Sequence, residues 1–261
     1  MTQRKVIGLV PMAGRATRLS PLPCSKELFP IVMQGGDGSA RPRVVSHFLL
    51  ERMRLAGIRQ VFLVIREGKW DIPAYYKDGS ALLDLSLAYL VAHVPYGPPF
   101  SLDTAYPFVQ DAVVAMGFPD ILFWPGDAFS HLLARQEDTR ADLVLGLFLL
   151  PEPLIDDMVE LDDEGRVRRY FIRQRVPHLS HSWMIAVWAP SFTHFMHEYL
   201  HEYLQTNGAP EQEFGMAHVM HAAVDAGLLV QTVTFHEGGF LDIGTPGGLA
   251  QLPAFLQRLQ S

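Results

Sequence analysis

The sequence predicts one α/β domain, a three-layer α/β/α sandwich around a mixed, mostly parallel central sheet, with a small projecting β-hairpin. Three observations predict it. Apolar runs of strand length, lacking the polar alternation of a half-exposed sheet, recur at Val6–Val10, Val61–Ile65, Leu87–His93, Ile121–Trp124, Leu143–Leu150, Met184–Trp188 and Leu229–Phe235. Helical patterning near 43–56, 104–116, 130–139, 191–205, 211–226 and 246–259 separates them, with Ser, Thr, Asp or Pro start signals before several. The stretch "VELDDEGRVRRYFIRQ" holds two strand-like pieces around Asp163-Glu164-Gly165, which reads as a hairpin turn rather than a crossover.

Taken in order, the first run empties at Val10 into "PMAGRATRLSPLPCSKELFP", and the helix near 43–56 leads to the second run. The run ending at His93 meets the Pro/Gly cluster "VPYGPPFS" at 94–101, too short to act as a linker between domains. The helix near 104–116 precedes Ile121–Trp124, which ends in "PGDAF"; the helix near 130–139 precedes the fifth run and the hairpin. Asn207-Gly208 closes the helix near 191–205, and "FLDIGTPGGL" stands between the last run and the last helix. Ligands of such sheets lie beyond the carboxyl ends of strands, so the loops after Val10, His93, Trp124 and Trp188 are the expected places for a site.

Composition narrows the function. At 261 residues, 49% hydrophobic and 19% charged, the chain can bury a sizeable core and is not a disordered sequence. A formal charge of −7 without a long basic tract argues against a polymeric nucleic acid as partner. The single cysteine, Cys24, has no partner for an intramolecular disulfide, and cytoplasm is the default expectation. The start "MTQRKVIGLVPMAG" fits a strand entering a loop better than a signal peptide. The longest apolar run, Leu143–Leu150, falls far short of the roughly 20 residues a spanning helix needs, so no membrane is expected.

The loop after Val10 carries the first chemistry. Small residues at Ala13, Gly14 and Ala16 let a backbone approach a ligand and turn its amides toward an anion, while Arg15, Arg18 and Lys26 add full charge. This is a phosphate cradle, yet neither G-x-G-x-x-G nor G-x-x-x-x-G-K-[ST] is present.

"VPMAGRATRLSPLPCSKELFPI" resembles the signature of the sugar nucleotidyltransferases of the glucose-1-phosphate thymidylyl- and uridylyltransferase type, a strand followed by a G-x-G-T-R-L loop and then P/S-K-x-L-x-P. Gly14, Thr17, Arg18, Leu19, Pro21, Lys26, Leu28 and Pro30 match, and Ala16 stands at the second glycine. "FWPGDAF" is similar to that family's G-D-x-x-F segment, and "FLDIGTPGGL" to its L-D-x-G-T-P-x-x-L. The resemblance implies a Rossmann-like fold, with a nucleotide and phosphate half over about 1–140 and an acceptor half over about 141–261. It implies a reaction in which an acceptor phosphate attacks the α-phosphorus of a nucleoside triphosphate and pyrophosphate leaves. The implied cofactor is Mg²⁺, held by Asp127 and Asp242; the implied catalytic residues are Arg18, Lys26 and Asp127. Nucleotide binding falls to Ala13, Gly14, Arg15, Ala16 and Thr17, with His93 and Gly97 on the base side, where "YLVAHVPYG" has Ala92 at the base-reading glutamine. The implied acceptor is a phosphorylated small molecule, a sugar 1-phosphate, bound by Asp157, Arg173, Arg175 and Glu213. Here the chain departs most: Asp157 takes a glycine's place, and Gln174 takes that of a lysine that contacts the sugar phosphate. Members of the family form dimers or tetramers, which raises a homo-oligomer as an expectation.

Two rival readings stay open. A chain that keeps the nucleotide grip but lacks the acceptor lysine could be a nucleotide-binding paralogue without turnover, with a regulatory or scaffold role. "HEYLHEYL" also matches the zinc pattern H-E-x-x-H at His197, Glu198 and His201, with Glu211, His218 or His221 as a third ligand. The tandem four-residue unit puts Tyr199/Tyr203 and Leu200/Leu204 on stripes of their own, and a surface helix packed on one side accounts for that pattern.

Overall fold

The computed structural model describes residues 5–34, 40–94, 96–150, 157–174 and 176–258. The chain runs through β1 (Val6–Pro11), a long loop with one 3-10 turn (Lys26–Leu28), the hairpin β2 (Pro30–Gln34) and β3 (Ala40–Val44), α1 (Val45–Leu55) and β4 (Gln60–Arg66). Then come α2 (Asp71–Tyr76), α3 (Ser80–Leu83), β5 (Ser86–Ala92), α4 (Pro98–Asp103), α5 (Tyr106–Val109), β6 (Val113–Gly117), β7 (Ile121–Trp124) and α6 (Ala128–Thr139). The last stretch holds β8 (Leu143–Leu149), β9 (Met158–Leu161), β10 (Val167–Phe171), β11 (His181–Trp188), α7 (Pro190–Asn207), α8 (Met216–Asp225), β12 (Val230–Phe235), β13 (Gly239–Asp242) and α9 (Pro246–Arg258).

Nine strands form the main sheet in the order β10-β9-β11-β6-β1-β4-β5, with β8 also on β11 and β12 on β8. β1 pairs in parallel with β4 and β6, β4 with β5, and β12 with β8, whereas β11 is antiparallel to β6, β8 and β9, and β10 to β9. Every strand of this sheet except β10 and β11 therefore points the same way. Side chains one apart along a strand feed opposite cores: Ile7, Phe62, Val114 and Ala186 join the helices α4, α7 and α8, while Val61, Leu63, Val113 and Val187 join α1, α6 and α9. That double burial is why the strands read as continuous apolar runs.

The structure departs from expectation at three places. The segment 104–116 is not one helix: α5 ends at Val109 and Val113–Gly117 is a central strand, buried throughout. Its Ala and Met suit a helix as well as a strand, and the neighbours β1 and β11 decide the outcome. Ile121–Trp124 lies outside the main sheet and pairs antiparallel with β13, Ile121 opposite Asp242 and Trp124 opposite Gly239. Because β11 runs against its neighbours, the end at Trp188 lies at the edge opposite the carboxyl ends of β1 and β6, so the loop after it is removed from the candidate site.

The expected hairpin is the β9–β10 ribbon. It joins the sheet through Ser182 opposite Met158 and a bridge between Arg166 and Gln231. Asp162 shapes its turn, accepting from the Glu164 and Arg166 amides at 2.9 Å and from Arg166 Nε at 2.7 Å. Among the described residues no helix is long and apolar enough to cross a membrane.

Candidate nucleotide and metal site

The loop after β1 is pinned along its length. Met12 donates its amide to the Val64 carbonyl at 2.7 Å, tying the loop's first residues to β4. Leu19 N then closes a turn on the Ala16 carbonyl, and Ala16 sits at φ 54°, in the left-handed region that glycine occupies at less cost. Ala16→Gly is expected to stabilise the fold by about 0.5–1 kcal/mol, the relieved strain less the added freedom of the unfolded chain, as read from urea unfolding.

Farther along, Ser25 donates both its amide and its hydroxyl to Asp71, each at 2.7 Å. Glu27 is wholly buried and takes both carboxylate oxygens to Lys69 Nζ at 2.8 Å. Burial pushes the Glu27 carboxyl up and the Lys69 ammonium down, and their attraction offsets only a fraction of each shift. Ser46 on α1 donates to the Glu27 carbonyl at 2.7 Å, so the turn bearing Lys26 is fastened to the start of α1.

Lys26 is the hinge between loop and carboxylates. A Cβ added to Gly14 would lie 3.9 Å from Lys26 Nζ, which places the small-residue turn beside the ammonium. On its other side Lys26 Nζ meets Asp120 Oδ2 at 2.6 Å, both groups largely buried. Burial alone would lower the Lys26 pKa, but the Asp120 carboxylate, with Glu27 and Asp242 beyond it, holds the ammonium above its ordinary range.

Asp120 lies just past the carboxyl end of β6 and Asp242 at the end of β13, where the antiparallel ribbon and a bond from Ile243 N to the Asp120 carbonyl bring them side by side. Gly244 makes room for both: a Cβ there would stand 2.5 Å from Asp120 Oδ2 and 2.8 Å from Asp242 Oδ1. Its amide donates to Asp242 Oδ1 at 2.7 Å, and Arg18, mostly exposed, reaches Asp242 Oδ2 at 3.9 Å. Burial, then the neighbouring Asp120 charge, pushes the Asp242 carboxyl up despite Gly244, Arg18 and Lys26.

A divalent cation is what this pair fits. Two repelling carboxylates, with two basic side chains and a small-residue loop beside them, are hard oxygen donors with space for phosphate oxygens and water. Mg²⁺ takes one or two acids together with substrate phosphates. Among the described residues no group of three or more His, Cys, Asp or Glu is placed to hold a metal, so a closed all-protein cage is not built there.

Asp127 does not belong to the pair and is corrected. It precedes α6 as the cap residue, is exposed, and stands 3.2 Å from His131 Nε2 one helical turn on. The β7–β13 register places Ile121 beside Asp242 but Trp124 beside Gly239, so Asp127 follows the far end of that ribbon. Its backbone carbonyl accepts the Ser130 amide at 2.8 Å to open the helix, while its side chain makes no cap bond. The carboxylate that meets Asp242 is Asp120, missed because the strand before it was read as helix. Its signal was the apolar run "AVVAMGF" halted by Pro119-Asp120.

The other expected residues divide. Ala13, Gly14, Arg15 and Thr17 lie on the loop with Ala16, and Gly14, Arg15 and Thr17 are exposed. His93 is exposed just after β5. Gly97 has a packing reason of its own: at φ 122° its Cβ position would be 2.2 Å from the Phe214 carbonyl oxygen, where Phe214 N donates to Tyr96 O at 2.8 Å. Gly97→Ala is expected to cost about 2–4 kcal/mol in urea unfolding. Glu213, exposed, adjoins Phe214 and so comes near the Tyr96–Gly97 segment. Asp157 Oδ1 accepts from the Arg173 amide at 3.0 Å and its carbonyl accepts from Ser182 Oγ at 2.8 Å; burial pushes its carboxyl up. Arg173 itself is exposed, with φ 49°. Arg175 lies outside the described residues.

The H-E-x-x-H segment belongs to α7, as a surface helix. His197 Nδ1 meets the Asp103 oxygens at 3.0 and 3.1 Å, and its ring stacks on Tyr106 at 3.8 Å. His218 instead bonds to Gly215, and His221 Nε2 faces Asp225 at 3.6 Å, so these candidate third zinc ligands are engaged elsewhere.

No protein-family model matches the chain, and no curated protein matches it by sequence. Solved structures do. One from Bacillus anthracis, described as a putative glucose-1-phosphate thymidylyltransferase in complex with a sucrose, superposes with a TM-score of 0.78 at 14% identity over 97% of this chain and 95% of its own. A UDP-glucose pyrophosphorylase complexed with UDP-glucose gives 0.77 at 15%, over 98% and 100%. An inositol-1-phosphate CTP transferase from T. maritima gives 0.73 at 16%, over 99% and 98%. Over nearly its whole length, the chain has the Rossmann-like fold of the sugar-phosphate nucleotidyltransferases.

Proposed function

We propose that the protein is a Mg²⁺-dependent nucleotidyltransferase that joins a nucleoside triphosphate to a phosphorylated acceptor, a sugar 1-phosphate, giving a nucleoside diphosphate sugar and pyrophosphate. The observation that carries this reading is the convergence of the Met12–Leu19 loop, Lys26 and the Asp120/Asp242 pair at one edge of the sheet. In the reaction an acceptor phosphate oxygen forms a bond to the α-phosphorus, the bond to the bridging oxygen of the β-phosphate breaks, and pyrophosphate leaves with both electrons. Two anions must approach, so charge has to be neutralised on both. Mg²⁺ held by Asp120 and Asp242 would neutralise phosphate oxygens during the transfer. Arg18, exposed and on a forked donor, would grip the leaving phosphates, and the loop amides from Ala13 to Thr17 would hold the chain of phosphates in line. Lys26, positioned between Gly14 and Asp120, would place its charge near the α-phosphate.

Asp157 and Arg173 meet through a backbone hydrogen bond on the acceptor side, and Gln174 between Arg173 and Arg175 leaves the two arginines to supply the phosphate's counter-charge. Incubation with each nucleoside triphosphate, Mg²⁺ and a panel of phosphorylated acceptors should release pyrophosphate for at least one pairing. Nucleotide binding with no release above an Asp242→Asn control across the panel would instead support the binding paralogue.

A further inference from the structure

The H-E-x-x-H segment of α7 has surroundings that a plain surface helix does not need. His197 Nδ1 stands 3.0 and 3.1 Å from the two oxygens of Asp103, at the end of α4. A carboxylate only accepts, so Nδ1 carries the proton and Nε2 keeps its lone pair. Tyr106 stacks on the ring at 3.8 Å with 10° between the planes, and its hydroxyl meets His194 Nδ1 at 2.9 Å, which fixes Tyr106 in turn. The half-buried His197 ring is thus held on one face and one edge.

His201 lies one helical turn on, exposed, with its ring centre 5.2 Å from that of His197. Two imidazoles that bond one ion tetrahedrally at about 2.0–2.1 Å put their ring centres roughly 5 Å apart. Exposed Glu198 and Glu202 beside them add negative charge. Burial pushes the Asp103 carboxyl up, and the hydrogen bond from His197 with the charges of His197 and His201 offsets part of that rise. A cation beyond the rings would offset more.

We propose that His197 and His201 form a binding site for a divalent transition-metal ion of the Zn²⁺ kind, apart from the Asp120/Asp242 pair, with Asp103 as the residue that positions His197. A carboxylate on the remote nitrogen of a ligating histidine fixes its tautomer and ring orientation and raises its basicity. Imidazole suits Zn²⁺, Cu²⁺ and Ni²⁺, whereas Mg²⁺ takes oxygen donors, so the two sites select different ions. Catalytic zinc takes three protein ligands, and among the described residues no third one joins this pair, so the site binds an ion without the make-up of a zinc hydrolase. None of this depends on turnover at the nucleotide site.

The test titrates the tag-free full chain with Zn²⁺ in excess Mg²⁺, following heat and the melting temperature. One saturable equivalent that raises the melting temperature is expected. It should vanish in His197→Gln and in His201→Gln, and persist in His218→Gln and in Asp242→Asn. Because His201 is exposed, its variant keeps the fold and isolates the loss of a ligand. Asp103→Ala should weaken binding by about 10–100-fold, with Asp103→Asn, which keeps an acceptor, falling between it and the native chain. No saturable uptake, undiminished uptake in either α7 histidine variant, uptake that His218→Gln or Asp242→Asn abolishes, or native affinity in Asp103→Ala would each overturn the site.

Discussion

Asp242→Asn is expected to lower kcat for pyrophosphate release by on the order of 10²–10³-fold while raising the melting temperature of the metal-free protein. Both effects come from one cause. The Asp242 carboxyl is pushed up by burial and by Asp120, so the folded state holds a proton that the unfolded state would release, over the window above the ordinary aspartate value. Stability is thus lost as pH rises through that window, and the penalty of the charged pair is complete once the carboxyl has ionised. The variant removes that penalty, so its advantage in melting temperature should vanish below the ordinary aspartate range. Mg²⁺ should raise the melting temperature of the native protein and leave that of Asp242→Asn nearly unmoved, since only a ligand of the folded form stabilises it. Asp120→Asn should show the same loss of activity. Asp127→Asn should hold kcat within about twofold, as an exposed change remote from the pair does.

The second large effect concerns the floor of the loop. Lys69→Met leaves the Glu27 carboxylate, wholly buried, without its partner and should cost about 3–5 kcal/mol in urea unfolding. Glu27→Leu combined with Lys69→Met should recover most of that loss, because two apolar groups replace a desolvated pair. The deficit of the single variant should grow with pH, as a buried carboxyl already pushed up is forced to ionise with nothing to meet it. Activity adds a second readout, since Lys26 precedes Glu27 in the same 3-10 turn: a refolded double variant with weakened nucleotide binding would show that the pair also sets the position of Lys26.

Strands buried on both faces were legible, because apolar residues fill them almost throughout; β1, β4, β8 and β11 all announce themselves so. The phosphate loop was legible for the opposite reason, as small and basic residues have little use in a core. Ala16 fits the same logic, since its left-handed backbone lies where the resembling loop has glycine. What stayed hidden depends on partners distant in sequence. Val113–Gly117 has no strand signature against a helix until β1 and β11 flank it, and misreading it hid Asp120. The Glu27–Lys69 pair spans 42 residues, and no local pattern announces it. Direction was equally invisible: β11 runs against the sheet, which removes the loop after Trp188 from the candidate site and brings Ser182 to Asp157 instead.

The most direct measurement is anomalous scattering from Mn²⁺ in crystals grown with a non-hydrolysable nucleoside triphosphate analogue. The expected result is one ion bridging the Asp120 and Asp242 carboxylates, with phosphate oxygens on it and Arg18 and Lys26 on those phosphates. An ion seated at Asp127, or a bound nucleotide whose phosphates lie away from Gly14 and Lys26, would contradict it.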